Sequence, residues 1–193
     1  TSSPSPPTTT PPIQIVPGNF EYGRWLAGRI FDMIEEAMAA EAGPVQVWFG
    51  FGHEYSLRNL GNAPIDYEVQ ALKVTRDGQP VALFFNHPTH PLQAVMDRVE
   101  PGHPGHAVEE IEARLPGVLA MFGAACGGNQ FTLAGMSGTP DSVRDYGRRL
   151  ANAVLDIPEG QWREVTGPLS STLEVIDLPL APPIPEEDAR KLA

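Results

Sequence analysis

The chain has 193 residues and is acidic, with 24 Asp and Glu against 13 Lys and Arg and a formal net charge of −11. This charge argues against nucleic acid or an anionic membrane surface as the main partner, because both would be repelled. A single cysteine, Cys126, excludes an internal disulfide framework. No apolar run reaches the roughly 20 residues that a membrane-spanning helix needs, so we predict no membrane span.

Composition changes sharply near both ends of the chain. Residues 1–12 contain only Ser, Thr and Pro, a composition that buries too little apolar surface to fold. The last dozen residues are Pro-rich and then charged. We therefore predict a flexible tail over residues 1–19, one α/β domain over 20–181 and a C-terminal tail over 182–193.

The first half of the domain reads as a helix followed by strands. Residues 20–41 repeat apolar side chains at helical spacing, which predicts an amphipathic helix whose apolar face joins the core. That face comprises Trp25, Leu26, Ile30, Met33, Ile34, Ala37 and Met38. Residues 45–52 predict a strand, after which we interpret His53 as a surface residue. Residues 58–64 predict a polar loop.

An antiparallel hairpin is predicted next. Residues 67–75 and 80–85 are two apolar runs separated by a turn that contains Asp77-Gly78. Asp-Gly between such runs is the strongest short-range signal of a hairpin, because both positions of the turn require positive φ. The second strand of this hairpin leads directly into a cluster of histidines.

The second half alternates helices with strands. Residues 101–106 predict a loop that opens a helix through residue 115, and residues 117–125 predict a buried strand. A second helix begins at Thr139-Pro140-Asp141, an N-cap followed by Pro at the first position. Residues 171–180 predict a final strand. The fold class is therefore α/β, a mixed β-sheet flanked by helices that contains an antiparallel hairpin.

Four of the five histidines lie between residues 87 and 106, in two His-x-x-His pairs that contain proline: His87, His90, His103 and His106. Imidazole is the commonest metal ligand, and zinc takes three or four ligands of this kind. We predict a metal site that uses at least one of these histidines, with Asp97 or Glu100 orienting the ligands. The alternative is that these are loop histidines whose rings bond to backbone carbonyls. This alternative applies most strongly to His103 and His106.

A glycine-rich loop, Cys126-Gly127-Gly128-Asn129, follows the predicted strand over residues 117–125. Glycines let a backbone approach a ligand closely, so Gly127 and Gly128 are candidate substrate-binding residues. Cys126 could act as a thiol nucleophile, but a cysteine beside glycines is more often a small buried residue. Residues 135–138 resemble a nucleophile elbow only loosely and are interpreted as a loop.

Several stretches together resemble the neutral/alkaline (non-lysosomal) ceramidases, zinc amide hydrolases that cleave N-acylsphingosine. The resemblance covers residues 21 to 193 and is carried by five stretches: residues 63–69 (APIDYEV), 85–91 (FNHPTHP), 102–107 (GHPGHA), 123–130 (GAACGGNQ) and 173–193. It implies that His90 is a zinc ligand and that the loop at Gly127 to Asn129 lines the substrate site. Asn129 stands where the family places a serine implicated in catalysis.

Two departures shape what the resemblance implies. The family's His-x-His zinc motif precedes its first helix, where this chain has only the Ser/Thr/Pro tract, and its Glu and Tyr ligands lie downstream of the matching region. A single carried-over ligand cannot hold a catalytic zinc. We therefore expect one of three outcomes: the chain is one piece of a larger enzyme and another polypeptide completes the site, His87, His103 or His106 build a different site, or catalysis is lost.

The leading functional hypothesis is a zinc-dependent hydrolase of an amide bond in a small molecule or a lipid, acting alone or as a subunit or fragment of the complete enzyme. The alternative is a non-catalytic binding or scaffold module of ceramidase-like fold. Stoichiometric zinc would favour the hydrolase, and a metal-free stable domain would favour the module.

Overall fold

A computed structural model describes residues 17–40, 43–61, 63–91, 99–133 and 139–177, together with residues 179, 185, 188, 190 and 191. The elements in chain order are α1 (Pro17–Ala39), β1 (Gln46–His53), β2 (Leu57–Asn59), β3 (Glu68–Arg76), β4 (Gln79–His87), α2 (Gly102–Arg114), β5 (Leu119–Ala124), β6 (Gln130–Thr132), α3 (Pro140–Leu155) and β7 (Arg163–Glu164). A 3₁₀ turn at Glu159–Gln161 precedes β7. The chain divides into two compact units, residues 1–45 with 76–79 and residues 46–75 with 80–193.

In the first unit, α1 is the amphipathic helix that the sequence predicts, but its apolar face is exposed. Trp25 is 59% exposed and Met38 is 74% exposed, and none of the predicted face is among the buried core residues. The prediction that this face joins the core is therefore wrong for this structure. Helical spacing shows that a face is apolar, but it does not show what covers that face.

The second unit contains a five-stranded sheet in the order β5-β4-β3-β1-β7. β1 pairs antiparallel with β3 and with β7, whereas β4 and β5 are parallel. β3 and β4 form the predicted hairpin around Asp77 and Gly78, whose φ angles are 51° and 75°. The sheet is therefore mixed and contains an antiparallel hairpin, which confirms the predicted α/β class.

Helices α2 and α3 pack against each other and cover one face of the sheet, where alternate strand residues meet them in a single core. Its members include Val69, Leu83 and Phe85 from the strands, Ile111 from α2 and Leu150 from α3. Each of these side chains is at most 3% exposed. Burial of side chains of this size stabilises the fold by about 1.5–3 kcal/mol each.

Glycines allow the closest contacts in this core. A Cβ on Gly52 in β1 would collide with the backbone carbonyl of Ala153 in α3. A Cβ on Gly147 in α3 would lie 2.6 Å from the Cβ of His106 and 2.9 Å from the carbonyl oxygen of His103. These two glycines therefore set how closely α3 approaches β1 and α2.

Three sequence-based predictions are corrected here. Residues 102–106, predicted as a loop, form the first turns of α2, and the polar loop predicted over residues 58–64 begins inside the short strand β2, which pairs with β6. Residues 171–177 of the predicted final strand have no regular secondary structure. Leu173 in that segment is 96% exposed, because no described strand lies beside it.

Candidate functional site

His87 ends β4 and is completely buried. Its Nδ1 lies 2.7 Å from Thr89 Oγ1 and 3.3 Å from the hydroxyl of Tyr146 in α3. Burial lowers the pKa of His87 to about 4, although the nearby Asp66 carboxylate opposes that shift. The ring is therefore neutral at pH 7, and it links the end of the sheet to α3.

His103 lies in the first turn of α2 and is also completely buried. Its ring packs edge-on against Tyr146 at 4.8 Å between centroids, and neither ring nitrogen has a hydrogen-bond partner among the described residues. Burial, reinforced by the neighbouring His87, lowers its pKa to about 3. His103 therefore behaves as a core side chain that carries two unpaired polar atoms.

His90 is half-buried, unlike the fully buried His87 and His103. The ring stacks on Phe131 with centroids 5.8 Å apart and planes 12° apart, and Nδ1 has no partner in the described part of the chain. Its backbone N–H donates to the carbonyl oxygen of Gln130 at 2.9 Å. Its Nδ1 is itself buried, so what distinguishes His90 from the other three histidines is that it is neither fully buried nor bonded to a carboxylate.

His106 lies one helical turn beyond His103 and is held between two carboxylates. Its Nε2 lies 3.2 Å from Glu100 Oε1, and its Nδ1 lies 3.0 Å from Glu109 Oε2. Both ring nitrogens therefore have acceptor partners, and the two glutamates fix the orientation of the ring.

The described residues do not assemble a metal centre from these histidines. No group of three or more His, Cys, Asp and Glu side chains among them is arranged to hold a metal ion. His87 and His103 lie in the core, His106 is bonded to glutamates, and His90 lies beside Phe131. Asp97, the other predicted orienting residue, falls outside the described residues. Zinc needs at least three protein ligands, and of the four clustered histidines only His90 is neither fully buried nor bonded to a carboxylate.

The loop at residues 126–129 packs directly against the loop that carries His90. A Cβ on Gly127 would lie 3.0 Å from the backbone of both Pro88 and Thr89, so this close approach needs a glycine. Gly128, by contrast, has open space around its Cα. The two strand-end loops that the sequence singles out are therefore neighbours at the ends of the parallel strands β4 and β5.

Gln130, which is 3% exposed, ties three loops together. Its side-chain oxygen accepts from Asp66 N at 2.6 Å, and its amide nitrogen donates to Pro88 O at 2.7 Å. Together with the backbone bond to His90, these contacts join the segment before β3, the segment after β4 and the start of β6. Because Gln130 is buried and forms hydrogen bonds with the other two segments, it fixes the relative positions of all three.

A cleft of about 600 Å³ opens beside this junction. The lining residues that carry polar side chains are Asp66, Glu68, Gln70, Asn86, Cys126, Asn129 and Gln130. Asn129 donates from Nδ2 to Asn59 Oδ1 at 3.1 Å. None of the four clustered histidines lines this cleft, and neither do Gly127 and Gly128.

Cys126 is exposed, which corrects the interpretation of a buried cysteine. The residue lies at the rim of the cleft, where the loop turns outward after β5. Small neighbouring residues therefore do not by themselves determine whether a cysteine is buried.

Tyr146, Thr89 and Gln130 are central to the site, and sequence reasoning did not single them out as functional. Tyr146 falls on the apolar face of α3, so its spacing indicates only burial. Thr89 and Gln130 have no motif around them. A residue that can form hydrogen bonds and is buried between two loops would have marked the site. Which loops meet is shown only by the tertiary structure.

Comparison with known proteins adds one solved structure. A neutral ceramidase from Pseudomonas aeruginosa matches with a TM-score of 0.58 and 22% sequence identity, over 70% of this chain and 26% of that chain. This chain therefore spans about a quarter of the length of that protein. No family model and no curated protein matches this chain. The likeness shows a ceramidase-like fold. Within the described residues, no helix is long and apolar enough to cross a bilayer.

Proposed function

We propose that this chain forms part of a ceramidase-like hydrolase that cleaves an amide bond in a small molecule or a lipid. The cleft beside Gln130 would take the substrate. Asn86 and Asn129 present side-chain amides there, and amides can pair with both the carbonyl and the N–H of a substrate amide. Ile65, Pro64 and Pro88 supply apolar contact in the same cleft.

The placement of His90 is the observation that carries the proposal. The residue is partly exposed, although its Nδ1 is buried and unpaired among the described residues, whereas His87, His103 and His106 are fully buried or bonded to carboxylates. One imidazole does not make a zinc site. The proposal therefore includes a second polypeptide that supplies the other ligands, with His87, His103 and His106 holding the surrounding structure.

Zinc content and hydrolysis test this proposal together. Elemental analysis would compare this chain alone with the protein complex purified from its native source, and a fluorogenic N-acyl amide would report hydrolysis. We expect zinc and hydrolysis only in the native complex, and we expect both to be lost in the complex with His90→Ala. His53→Ala is the matched control and should retain both.

The alternative is a binding module of ceramidase-like fold without catalysis. The buried positions of His87 and His103 favour it, because they remove two of the four candidate ligands from the surface. Native material without zinc or hydrolysis would support this alternative. Hydrolysis that survives a chelator but is lost with a thiol reagent would instead assign the reaction to the exposed Cys126.

A further inference from the structure

The second half of β1 has one open edge. β1 pairs with β3 along its whole length, from Gln46 to His53, but it pairs with β7 only at Trp48 and Phe49. Among the described strands, nothing continues this pairing beyond Phe49 on the β7 side. An unpaired strand edge offers backbone donors and acceptors to another extended chain.

The hydrogen bonds of β1 show which residues face that edge. Val165 N donates to Val47 O on the β7 side, and Glu54 N donates to Tyr67 O on the β3 side. Backbone groups alternate between the two edges of a strand, so the N–H and C=O groups of the odd-numbered residues of β1, such as Val47, face β7. The N–H and C=O groups of Phe51 and His53 therefore face the open edge.

A cleft of about 530 Å³ adjoins this edge. One side is a row of aromatic side chains at alternate positions, Phe51, His53 and Tyr55, in which His53 stacks on Tyr55 with planes 3° apart. The other side is the end of α3 and the turn that follows it, with Asn152, Asp156 and Gln161. Tyr55 is 67% exposed and offers its ring to a ligand.

The charges around the cleft favour a cation. The guanidinium of Arg149 is already bonded to Asp145 at 2.9 Å and to Ser56 at 3.2 Å. Asp156 caps the C-terminus of α3 and has no ion-pair partner among the described residues. A helix C-terminus carries partial negative charge, which adds to that of this carboxylate. The buried Glu54 also lines the cleft.

We propose that the open edge of β1 binds an extended peptide that carries a lysine or arginine. The peptide would add a strand at Phe51 and His53, rest its side chains on the aromatic row and place its cation at Asp156. Main-chain pairing gives affinity in this mode of recognition, and side-chain contacts give specificity. The aromatic row alone would also suit a sugar ring, but a sugar would leave the backbone groups of the edge unused.

Selection from a random heptapeptide display library, followed by titration of the synthetic peptides, tests this inference. We expect the selected peptides to be basic and their affinity to fall about tenfold or more with Tyr55→Ala or Asp156→Asn. Asp177→Asn, an equal charge change outside the cleft, should leave binding unchanged. In amide hydrogen exchange, bound peptide should protect Phe51 and His53.

N-methylation of the peptide gives a second measurement. Methyl groups on the amides that face β1 should abolish binding, whereas methyl groups on the alternate amides should not. Binding that ignores the Tyr55 and Asp156 variants, or that leaves Phe51 and His53 unprotected, would overturn the inference. Binding of a neutral trisaccharide, maltotriose, that competes with the peptides without protecting these amides would assign the cleft to sugars instead. The zinc and hydrolysis of the proposed function are independent of this edge.

Discussion

Gln130 is the residue at which three loops of the candidate site meet; its bond to Pro88 O is buried, and its bond from Asp66 N is part-buried. Replacing it with alanine leaves Asp66 N and Pro88 O without their partner. An unpaired buried group such as Pro88 O costs about 1–3 kcal/mol. We therefore expect Gln130→Ala to lower the free energy of unfolding by at least that amount in urea titrations.

Two further variants separate this effect from a general loss of side-chain volume. Gln130→Glu keeps the shape and the acceptor but, when ionised, cannot donate to Pro88 O, so it should also destabilise the fold. Asn129→Ala removes an exposed contact and should cost much less, about 0.5 kcal/mol, as is usual at surfaces. Equal decreases in the free energy of unfolding for Gln130→Ala and Asn129→Ala would show that Gln130 does not fix the positions of the loops.

His103 makes stability depend on pH. Its pKa is about 3 in the folded chain, well below the ordinary value of 6.5, mainly because of burial. The unfolded chain therefore binds a proton between these values that the folded chain does not bind. The free energy of unfolding is therefore unaffected by the titration of His103 above pH 6.5. It falls as the pH drops from 6.5 toward 3, by about 1.4 kcal/mol per pH unit for one group.

The matched variant is His103→Leu. Both ring nitrogens of His103 are unpaired among the described residues, so an apolar side chain of similar size should be neutral or stabilising at pH 7. The variant should also unfold less readily than the wild type at pH 5. Urea midpoints measured from pH 5 to pH 8 would check this, and an unchanged pH slope in His103→Leu would contradict the assignment.

At the scale of elements, the contact between α2 and α3 depends on Gly147. A Cβ at this position would press on His106 and on the backbone of His103. We expect Gly147→Ala to lower the free energy of unfolding by about 1–3 kcal/mol, the usual cost of overpacking. Gly160→Ala is the control, because nothing lies within 4 Å of its added Cβ. Similar urea midpoints for the two variants would show that α2 and α3 can move apart enough to accommodate the added methyl group at little cost.

The elements that sequence analysis predicted correctly carry their signals locally. Strands β3 and β4 flank an Asp-Gly turn, and α3 is preceded by its N-cap Thr139, whose side chain accepts from Ser142 N. The short strands β2, β6 and β7 were missed because two or three residues carry no periodicity and depend on partners far away in sequence. Residues 171–177 show the reverse case: their apolar pattern predicted a strand, but they have no regular secondary structure and no described strand lies beside them.

The start of α2 explains why part of the site was not predictable. Two prolines and two glycines in residues 101–105 favour a loop, yet Pro104 lies within the first turn of the helix, where a missing N–H costs nothing. This turn carries His103 into the core and presents His106 to Glu100 and Glu109. The sequence reveals histidine spacing, but burial of each ring depends on how α2 meets α3.

For the whole molecule, the hydrophobic core cluster of the described residues comes from one stretch of the chain. All residues of the core cluster lie between Val69 and Ile157. The helix α1 contributes none of them, and its apolar side chains are exposed. The hydrophobic contribution to stability should therefore come almost entirely from residues after 45, because it scales with the apolar area that is buried.

Removing residues 1–45 tests this distribution. We expect the shortened chain to unfold in one cooperative urea transition, since its core is intact. It should also keep the near-ultraviolet circular dichroism that packed aromatic residues such as Phe85 and Tyr146 give. Leu150→Ala in the same shortened chain is the reference for a damaged core and should cost about 2–5 kcal/mol. A broad, non-cooperative transition of the shortened chain would show that the first 45 residues supply stabilising burial, and α1 would then have to be counted within the folding core.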